Sequence, residues 1–148
     1  MPMEIVLADK YGFCGTENFG VTGAIRLAKQ TAEEYPGKTY LLGQIVHNPH
    51  VVEDLKRCGI KTINSLGEVP DGATVVIRAH GEPPATFQEI ERRGLKYRDG
   101  TCPMVKAAQE AIKKIAGKDG TVVYVASKKD HEEAVGAVGQ APAVAQKN

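Results

Sequence analysis

The chain has 148 residues, of which 42% are hydrophobic and 25% are charged, so it is long enough and apolar enough to form one ordinary globular domain. Its 19 basic and 18 acidic residues give a formal charge of +1, which provides no overall field for nucleic acid or an anionic membrane. The apolar run at residues 5–8 has no basic leader and is too short for a signal peptide or a membrane span, so we expect a cytoplasmic protein.

In chain order, apolar runs predict strands that alternate with helices. Strands are expected at residues 4–8, 39–42, 74–78, 95–98 and 121–126, where apolar and β-branched residues cluster. Helices are expected at residues 20–35, 49–57, 84–93 and 103–116, where apolar residues recur at helical spacing. This alternation predicts an α/β fold of parallel β-α units with helices on both faces, and it places ligands at the carboxyl ends of the strands.

The apolar pattern weakens towards the C-terminus. A strand and a partial helix come before residue 136, without the elements that would complete a sheet, and small residues dominate afterwards. We therefore expect a first α/β domain at residues 1–100, including the N-terminal strand, and the incomplete opening of a second α/β domain at 101–140. Residues 141–148 are expected to form a frayed tail.

Three widely spaced cysteines fit a reducing compartment better than a disulfide framework. Cys14 has nearby glycines on both sides, which let the backbone turn tightly around a sulfur. Cys102 precedes a proline at a helix start, where free N–H groups stabilise a thiolate. Each is a candidate ligand of an iron–sulfur or other metal site, with simple burial as the alternative. Cys58 lies at a helix end among charged residues and is expected to be structural.

Histidines follow two of the predicted strands. His47 and His80 each precede a turn, where a single histidine is usually a surface or capping residue, but two in successive β-α units favour a shared phosphate-binding pocket. His131 and Glu133 stand in a charged stretch that is either a solvated turn or an imidazole beside a proton-transferring carboxyl. His50 is expected to be structural. The sequence contains no glycine-rich phosphate loop of the dinucleotide or Walker type.

Five short motifs stand in order along the chain: Gly12-Phe13-Cys14, Val46-His47-Asn48, Ala79-His80-Gly81, Thr101-Cys102-Pro103 and His131-Glu132-Glu133. Together they resemble the LytB/IspH family, the 4-hydroxy-3-methylbut-2-enyl diphosphate reductases. The resemblance implies reductive dehydroxylation of an allylic diphosphate to isopentenyl and dimethylallyl diphosphates, the last step of the non-mevalonate isoprenoid pathway. It also implies the first domain and part of the second domain of a three-domain, pseudo-threefold fold.

The resemblance further implies a [4Fe-4S] cluster held by three cysteines, with electrons from ferredoxin or flavodoxin. Its third cysteine would lie beyond residue 148, and Cys58 does not match that position. A separately encoded C-terminal partner chain would favour the complete enzyme. Residue by residue, the resemblance implies cluster ligation by Cys14 and Cys102, diphosphate binding by His47, His80 and His131, and proton delivery by Glu133.

Two features depart from the family pattern. Family members are much longer, and residues 15–19 are inserted where the family has Cys-Ala-Gly-Val. Three readings therefore stay open. The chain is either such a reductase portion or a non-catalytic α/β module that binds diphosphate or metal, and a zinc site built from Cys14, Cys102 and one histidine is a third reading.

Overall fold

Five strands and five α-helices are formed by the residues that this computed structural model describes, which are 3–9, 11–118 and 121–142. The strands are β1 (Gly15–Thr16), β2 (Thr39–Leu42), β3 (Lys61–Ile63), β4 (Thr74–Ile77) and β5 (Lys96–Asp99). The helices are α1 (Gly20–Glu34), α2 (Pro49–Arg57), α3 (Pro84–Arg92), α4 (Pro103–Ala116) and α5 (Glu132–Val138), with a 3-10 helix at Leu66–Glu68.

Four of the strands form one sheet in the order β3-β2-β4-β5, and all three pairings are parallel. Strand β1 lies outside this sheet and makes isolated antiparallel bridges with the residues that open α1. Because the four strands are parallel, their carboxyl ends lie along one edge, which we call the carboxyl edge. The loops that leave this edge are the ones that carry His47, His80 and Cys102.

Helices cover both faces of the sheet, because side chains alternate between the faces along each strand. On one face, Leu41 and Val76 pack in a cluster with Ala28 of α1. On the other face, Ile77 packs in a second cluster with Ile90 of α3. Every residue of β2 and β4 is buried, as expected for the central strands of a parallel sheet. The predicted fold class, parallel β-α units with helices on both faces, is confirmed.

Two of the predicted strands are wrong. Residues 4–8 and 121–126 have no strand, and their apolar side chains are exposed, as Leu7 (75%) and Val125 (88%) illustrate. A strand is stabilised by a hydrogen-bonded neighbour and by a face packed on a core. Among the described residues neither segment pairs with a sheet strand, so its apolar pattern alone does not make it a strand.

The other elements agree with the sequence pattern, apart from the short additions β1, β3 and the 3-10 helix. All four predicted helices are present, ending within one residue of the expected positions. Strand β3 was not expected, because it has three residues and only Ile63 is buried. The partial helix is α5, and it starts at Glu132, so Glu133 is helical rather than part of an extended turn.

The predicted division into domains stays a prediction. Helix α4 packs against α5 on the C-terminal side of the proposed boundary at residue 100. Of the predicted tail at residues 141–148, positions 143–148 lie outside the described residues. None of the helices in the described part of the chain has the length and apolar content needed to cross a membrane.

Candidate functional site

Three of the histidines singled out in the sequence lie together at the carboxyl edge. His47 follows β2, His80 follows β4, and His131 is the residue directly before α5. The ring centroid of His131 is 5.7 Å from that of His80 and 6.5 Å from that of His47. Because β2 and β4 are paired in parallel, the loops that carry His47 and His80 leave the sheet side by side. Helix α5 places the ring of His131 next to these two loops.

The loop that carries His47 is held by the start of α2. The side-chain oxygen of Asn48 accepts hydrogen bonds from the backbone amides of His50 (3.0 Å) and Val51 (3.4 Å), which caps the helix. His47 is the residue directly before this cap, and its side chain is 64% exposed. The ring therefore projects from a fixed turn and stays accessible to a ligand. His50 contributes its backbone amide to the cap.

Glu132 is a site residue that the sequence pattern did not single out. Its Oε2 atom is 3.7 Å from Nε2 of His47 and 3.9 Å from Nε2 of His131. Its Oε1 atom accepts a hydrogen bond from Nη1 of Arg78 at 3.3 Å. Two successive acidic residues before an apolar run are typical of the first turn of a helix, and that signal could have placed Glu132 on α5.

Arg78 lies between two carboxylates at the end of β4. Its side chain is 12% exposed, and Nη2 is 2.9 Å from Oε1 of Glu82, a close ion pair without hydrogen-bond alignment. Burial raises the pKa of Glu82, and the charge of Arg78 offsets only part of that rise. Burial would also raise the pKa of Glu132, but its own backbone amide, Arg78 and His47 lower it instead. Glu132 is therefore ionised at neutral pH.

The glycine after β2 makes room for this guanidinium. Gly43 has φ +70°, and a Cβ atom built on it would lie 1.8 Å from Nη1 of Arg78. Only glycine combines the left-handed backbone with that close approach. The tight turn after β2 and the buried position of Arg78 thus depend on each other.

The first turn of α5 fixes the proton of His131. The backbone amide of Glu133 donates a hydrogen bond to Nδ1 of His131 at 3.3 Å, so His131 is the N-cap of the helix. An Nδ1 atom that accepts a hydrogen bond carries no proton, so the proton of the neutral ring is on Nε2. Nε2–H is then a hydrogen-bond donor that faces the same space as His47 and Glu132.

His80 is half-buried, and its pKa is shifted. Burial, followed by the positive charge of Arg78, lowers the pKa of His80 below its ordinary value of 6.5, so the ring is neutral at neutral pH. Its Nδ1 atom is buried and has no hydrogen-bond partner among residues 3–9, 11–118 and 121–142. A buried polar atom without a partner is costly, and a bound ligand would satisfy it.

This set of side chains suits an anion better than a metal ion. His47, His131 and Glu132 offer donor atoms within 4.8 Å of one another, the sole such group of three in the described part of the chain. Two imidazoles and a carboxylate can ligate a transition metal, but a ligating Nε2 must have lost its proton. His131 keeps that proton as long as it caps α5. Neither Cys14 nor Cys102 belongs to such a group, so the geometry gives the zinc reading no support.

A backbone hydrogen bond joins Cys102 to the loop that carries His80. Its backbone amide donates a hydrogen bond to the carbonyl of Ala79 at 3.0 Å, and its thiol is free and partly exposed. The turn before it is held by Asp99, whose Oδ1 atom accepts hydrogen bonds from the amide (2.9 Å) and hydroxyl (2.5 Å) of Thr101. Burial would raise the pKa of Asp99, but Lys106 and Thr101 outweigh burial and lower it.

Cys14 is exposed and lies directly before β1, in the loop that leads to α1. The carbonyl of Cys14 accepts hydrogen bonds from the amide and hydroxyl of Thr22, which hold the loop on the first turn of the helix. A Cβ atom on Gly15 (φ +100°) would lie 2.1 Å from the carbonyl oxygen of Phe19, so this turn requires glycine. Cys58 ends α2 and precedes β3, at the edge of the sheet opposite the histidines. All three thiols are free.

Comparison with known proteins identifies the family of the chain. A family model described as LytB protein matches residues 5–147. The chain belongs to the LytB family. Two curated relatives are the 4-hydroxy-3-methylbut-2-enyl diphosphate reductases of Aquifex aeolicus and Geobacter metallireducens. They are 41% identical over 138 residues and 42% identical over 139 residues, which is 93% and 94% of this LytB chain.

Solved structures of such reductases are similar in fold to this chain. One is a structure of (E)-4-hydroxy-3-methyl-but-2-enyl diphosphate reductase, described as the terminal enzyme of the non-mevalonate pathway, with 40% identity and a TM-score of 0.74 over 92% of this chain. Another, from Plasmodium falciparum, has 28% identity and a TM-score of 0.80 over 90%. The LytB chain covers 46% and 41% of those chains, and 45% and 47% of the two curated relatives, so it spans less than half their length.

Proposed function

We propose that this LytB chain supplies the diphosphate-binding side of a 4-hydroxy-3-methylbut-2-enyl diphosphate reductase. The observation that supports it most directly is the meeting of His47, His80 and His131 at the carboxyl edge. The complete reaction, a two-electron reductive dehydroxylation that gives isopentenyl and dimethylallyl diphosphates, requires a longer protein or a C-terminal partner chain. The free thiols fit a cytoplasmic site of action.

Each histidine is suited to a phosphate oxygen for a different reason. The Nε2–H of His131 is a fixed donor because its Nδ1 atom caps α5. His80 has a buried ring nitrogen that lacks a partner among the described residues, and His47 is open to solvent. A diphosphate has enough acceptor oxygens to bind all three rings, and neutral or charged imidazoles both donate to it.

We assign Cys14 and Cys102 as two of the ligands of an iron–sulfur cluster. Both thiols are free and accessible. Cys102 is the residue directly before α4, where backbone N–H groups favour a thiolate, and Cys14 lies in the loop that leads through β1 to α1. When bound, a [4Fe-4S] cluster would supply the electrons, received from ferredoxin or flavodoxin. Cys58 lies at the other edge of the sheet and does not fit the third position.

Glu133 is the acid that we assign to the leaving hydroxyl group. Its side chain is half-buried in the first turn of α5, and its charge acts on both His80 and Tyr124. A carboxyl group in that place can hold a proton and deliver it as the carbon–oxygen bond breaks, so that water leaves instead of hydroxide. Its backbone amide already positions His131, so one residue would orient a ring and supply a proton.

The test of this proposal is anaerobic reconstitution of the chain with iron and sulfide. Cys14→Ser and Cys102→Ser should each lower the iron and sulfide bound per chain, because a hydroxyl is a poor ligand for iron. Cys58→Ser is the matched control and should bind as much as the unsubstituted chain. Equal iron content in all four proteins would contradict the assignment. Turnover is then measured with the chain supplied with the C-terminal part of a LytB protein.

The second candidate, a non-catalytic module that binds diphosphate, is favoured by a separate observation. Cys58 lies at the edge of the sheet opposite the histidines, which leaves two cysteines for a cluster, and two thiolates hold a cluster less firmly than three. Binding of inorganic pyrophosphate without retention of iron, even with the C-terminal part present, would favour the module over the reductase.

A further inference from the structure

A negative charge occupies the middle of the site proposed for an anion. The carboxylate of Glu132 lies between the Nε2 atoms of His47 and His131 at 3.7 and 3.9 Å, with its other oxygen on Arg78. These are the donors that a phosphate group would use. A diphosphate placed among them would meet the Glu132 carboxylate at close range.

The local charges do not cancel this repulsion. Arg78 provides one positive charge against the two carboxylates of Glu82 and Glu132, and His80 is neutral because burial lowers its pKa. Arg78 also has a buried Nε atom without a hydrogen-bond partner among the described residues. The guanidinium therefore has donor capacity that the two carboxylates leave unused, and a phosphate group, with several acceptor oxygens, suits this planar set of donors.

We propose that Glu132 is a resident anion, held by Arg78 on the imidazole donors of the empty site, and that a diphosphate binds by displacing it. This inference rests on the proposed diphosphate site. The side chain of Glu132 is 23% exposed at the first residue of α5, so it can turn towards water without unwinding the helix. Its departure releases Nη1 of Arg78 and both imidazoles at once.

Displacement makes Glu132 a determinant of specificity. A ligand must replace the carboxylate on Arg78 and beside both imidazoles to gain from the exchange. A highly charged diphosphate can do so, whereas a singly charged carboxylate or phosphodiester exchanges one negative charge for another and gains little. The site would thus discriminate by ligand charge before any contact with the hydrocarbon part of a substrate.

The experiment is calorimetric titration of the full 148-residue chain with inorganic pyrophosphate at low ionic strength. Glu132→Gln should tighten binding about tenfold, because it removes a like charge at contact distance. Glu132→Asp keeps the charge and should gain about threefold or less. Glu33→Gln, in the last turn of α1, changes the net charge equally at the opposite edge of the sheet and should change nothing. Thermal melting shows that each variant is folded.

Each outcome bears on the inference separately from the proposed function. In about 1 M salt, where the screening length falls to about 3 Å, the advantage of Glu132→Gln should shrink, which a merely structural role would not produce. Equal affinity of the unsubstituted chain and Glu132→Gln overturns the inference and leaves the diphosphate site standing. An equal gain in Glu132→Asp or Glu33→Gln also overturns it. Absence of pyrophosphate binding in every protein overturns both the inference and the diphosphate site.

Discussion

The backbone amide of Cys102 donates a hydrogen bond to the carbonyl of Ala79, the residue directly before His80. A proposed cluster ligand and a proposed diphosphate ligand are therefore separated by one hydrogen bond and one peptide unit. Because β4 and β5 are paired in register, this bond continues the sheet ladder past its carboxyl edge. Changes that disturb the turn before Cys102 should accordingly be felt by the histidine loop.

Asp99→Asn tests that turn through its pH dependence. The folded-state pKa of Asp99 is below its ordinary value of 3.8, so its contribution to stability is present at neutral pH and is lost as the pH falls through the folded value. At pH 7 the substitution should lower the free energy of unfolding by about 1–3 kcal/mol, through lost charge-assisted hydrogen bonds.

Urea unfolding at neutral pH and at about pH 3 measures this difference, which should be smaller in acid. Asp71→Asn is the control, because that carboxylate is 98% exposed and 3.9 Å from its nearest cationic partner. A loss of stability in Asp99→Asn that does not change with pH would contradict the role of its charge.

Two substitutions of His131 separate its capping role from its role in binding. His131→Asn keeps a good N-cap and should leave the free energy of unfolding nearly unchanged, whereas His131→Ala should lower it by about 1 kcal/mol. Both remove the Nε2–H donor, so both should weaken pyrophosphate binding. Chemical denaturation and calorimetry of the same samples provide the two measurements. Normal pyrophosphate affinity in His131→Asn would remove this ring from the anion site.

Gly43→Ala tests the close approach of Arg78 to the backbone. Gly37 and Gly43 both have φ +70°, but a Cβ atom on Gly37 meets nothing within 4 Å, whereas one on Gly43 meets the guanidinium. Both alanine variants should lose about 1–2 kcal/mol from the left-handed backbone. Gly43→Ala should lose about 1 kcal/mol more, because Arg78 must leave partly buried carboxylates. Equal losses in urea unfolding would show that Arg78 moves freely.

Glu133→Gln tests proton delivery in a chain supplied with a LytB C-terminal part. The amide retains shape and hydrogen bonding but has no proton to deliver, so turnover should fall about a hundredfold to ten-thousandfold while iron content is unchanged. Glu110→Gln, on the exposed side of α4, is the control and should have normal turnover. Near-normal turnover of Glu133→Gln, or loss of its iron, would show that the acid assignment is wrong.

The placement of His47 and His80 could be read from the sequence for a simple reason. Each follows a short apolar strand, and the ends of parallel strands meet at one edge whatever the details of packing. The same reasoning placed Cys102 at that edge. Local spacing was sufficient for these residues because the sheet imposes the long-range geometry.

Glu132 and Arg78 could not be found in the same way. Which acidic residue lies against His47 and His131 depends on where α5 begins, and the extended conformation assumed from the sequence did not bring Glu132 there. The position of Arg78 depends on a glycine in another loop, 35 residues earlier. The failed strands at 4–8 and 121–126 have a related cause, since a strand exists only where a neighbouring strand pairs with it.

Because His131 caps α5, the nitrogen that carries its ring proton depends on whether the first turn of that helix is folded. While the first turn is intact, His131 offers a proton at Nε2 and attracts anions. If that turn frays, Nδ1 is released, the proton can move to it, and Nε2 exposes a lone pair of the kind that transition metals seek. Whether the site binds an anion or a metal cation is thereby coupled to the folding of α5, the seven residues Glu132–Val138.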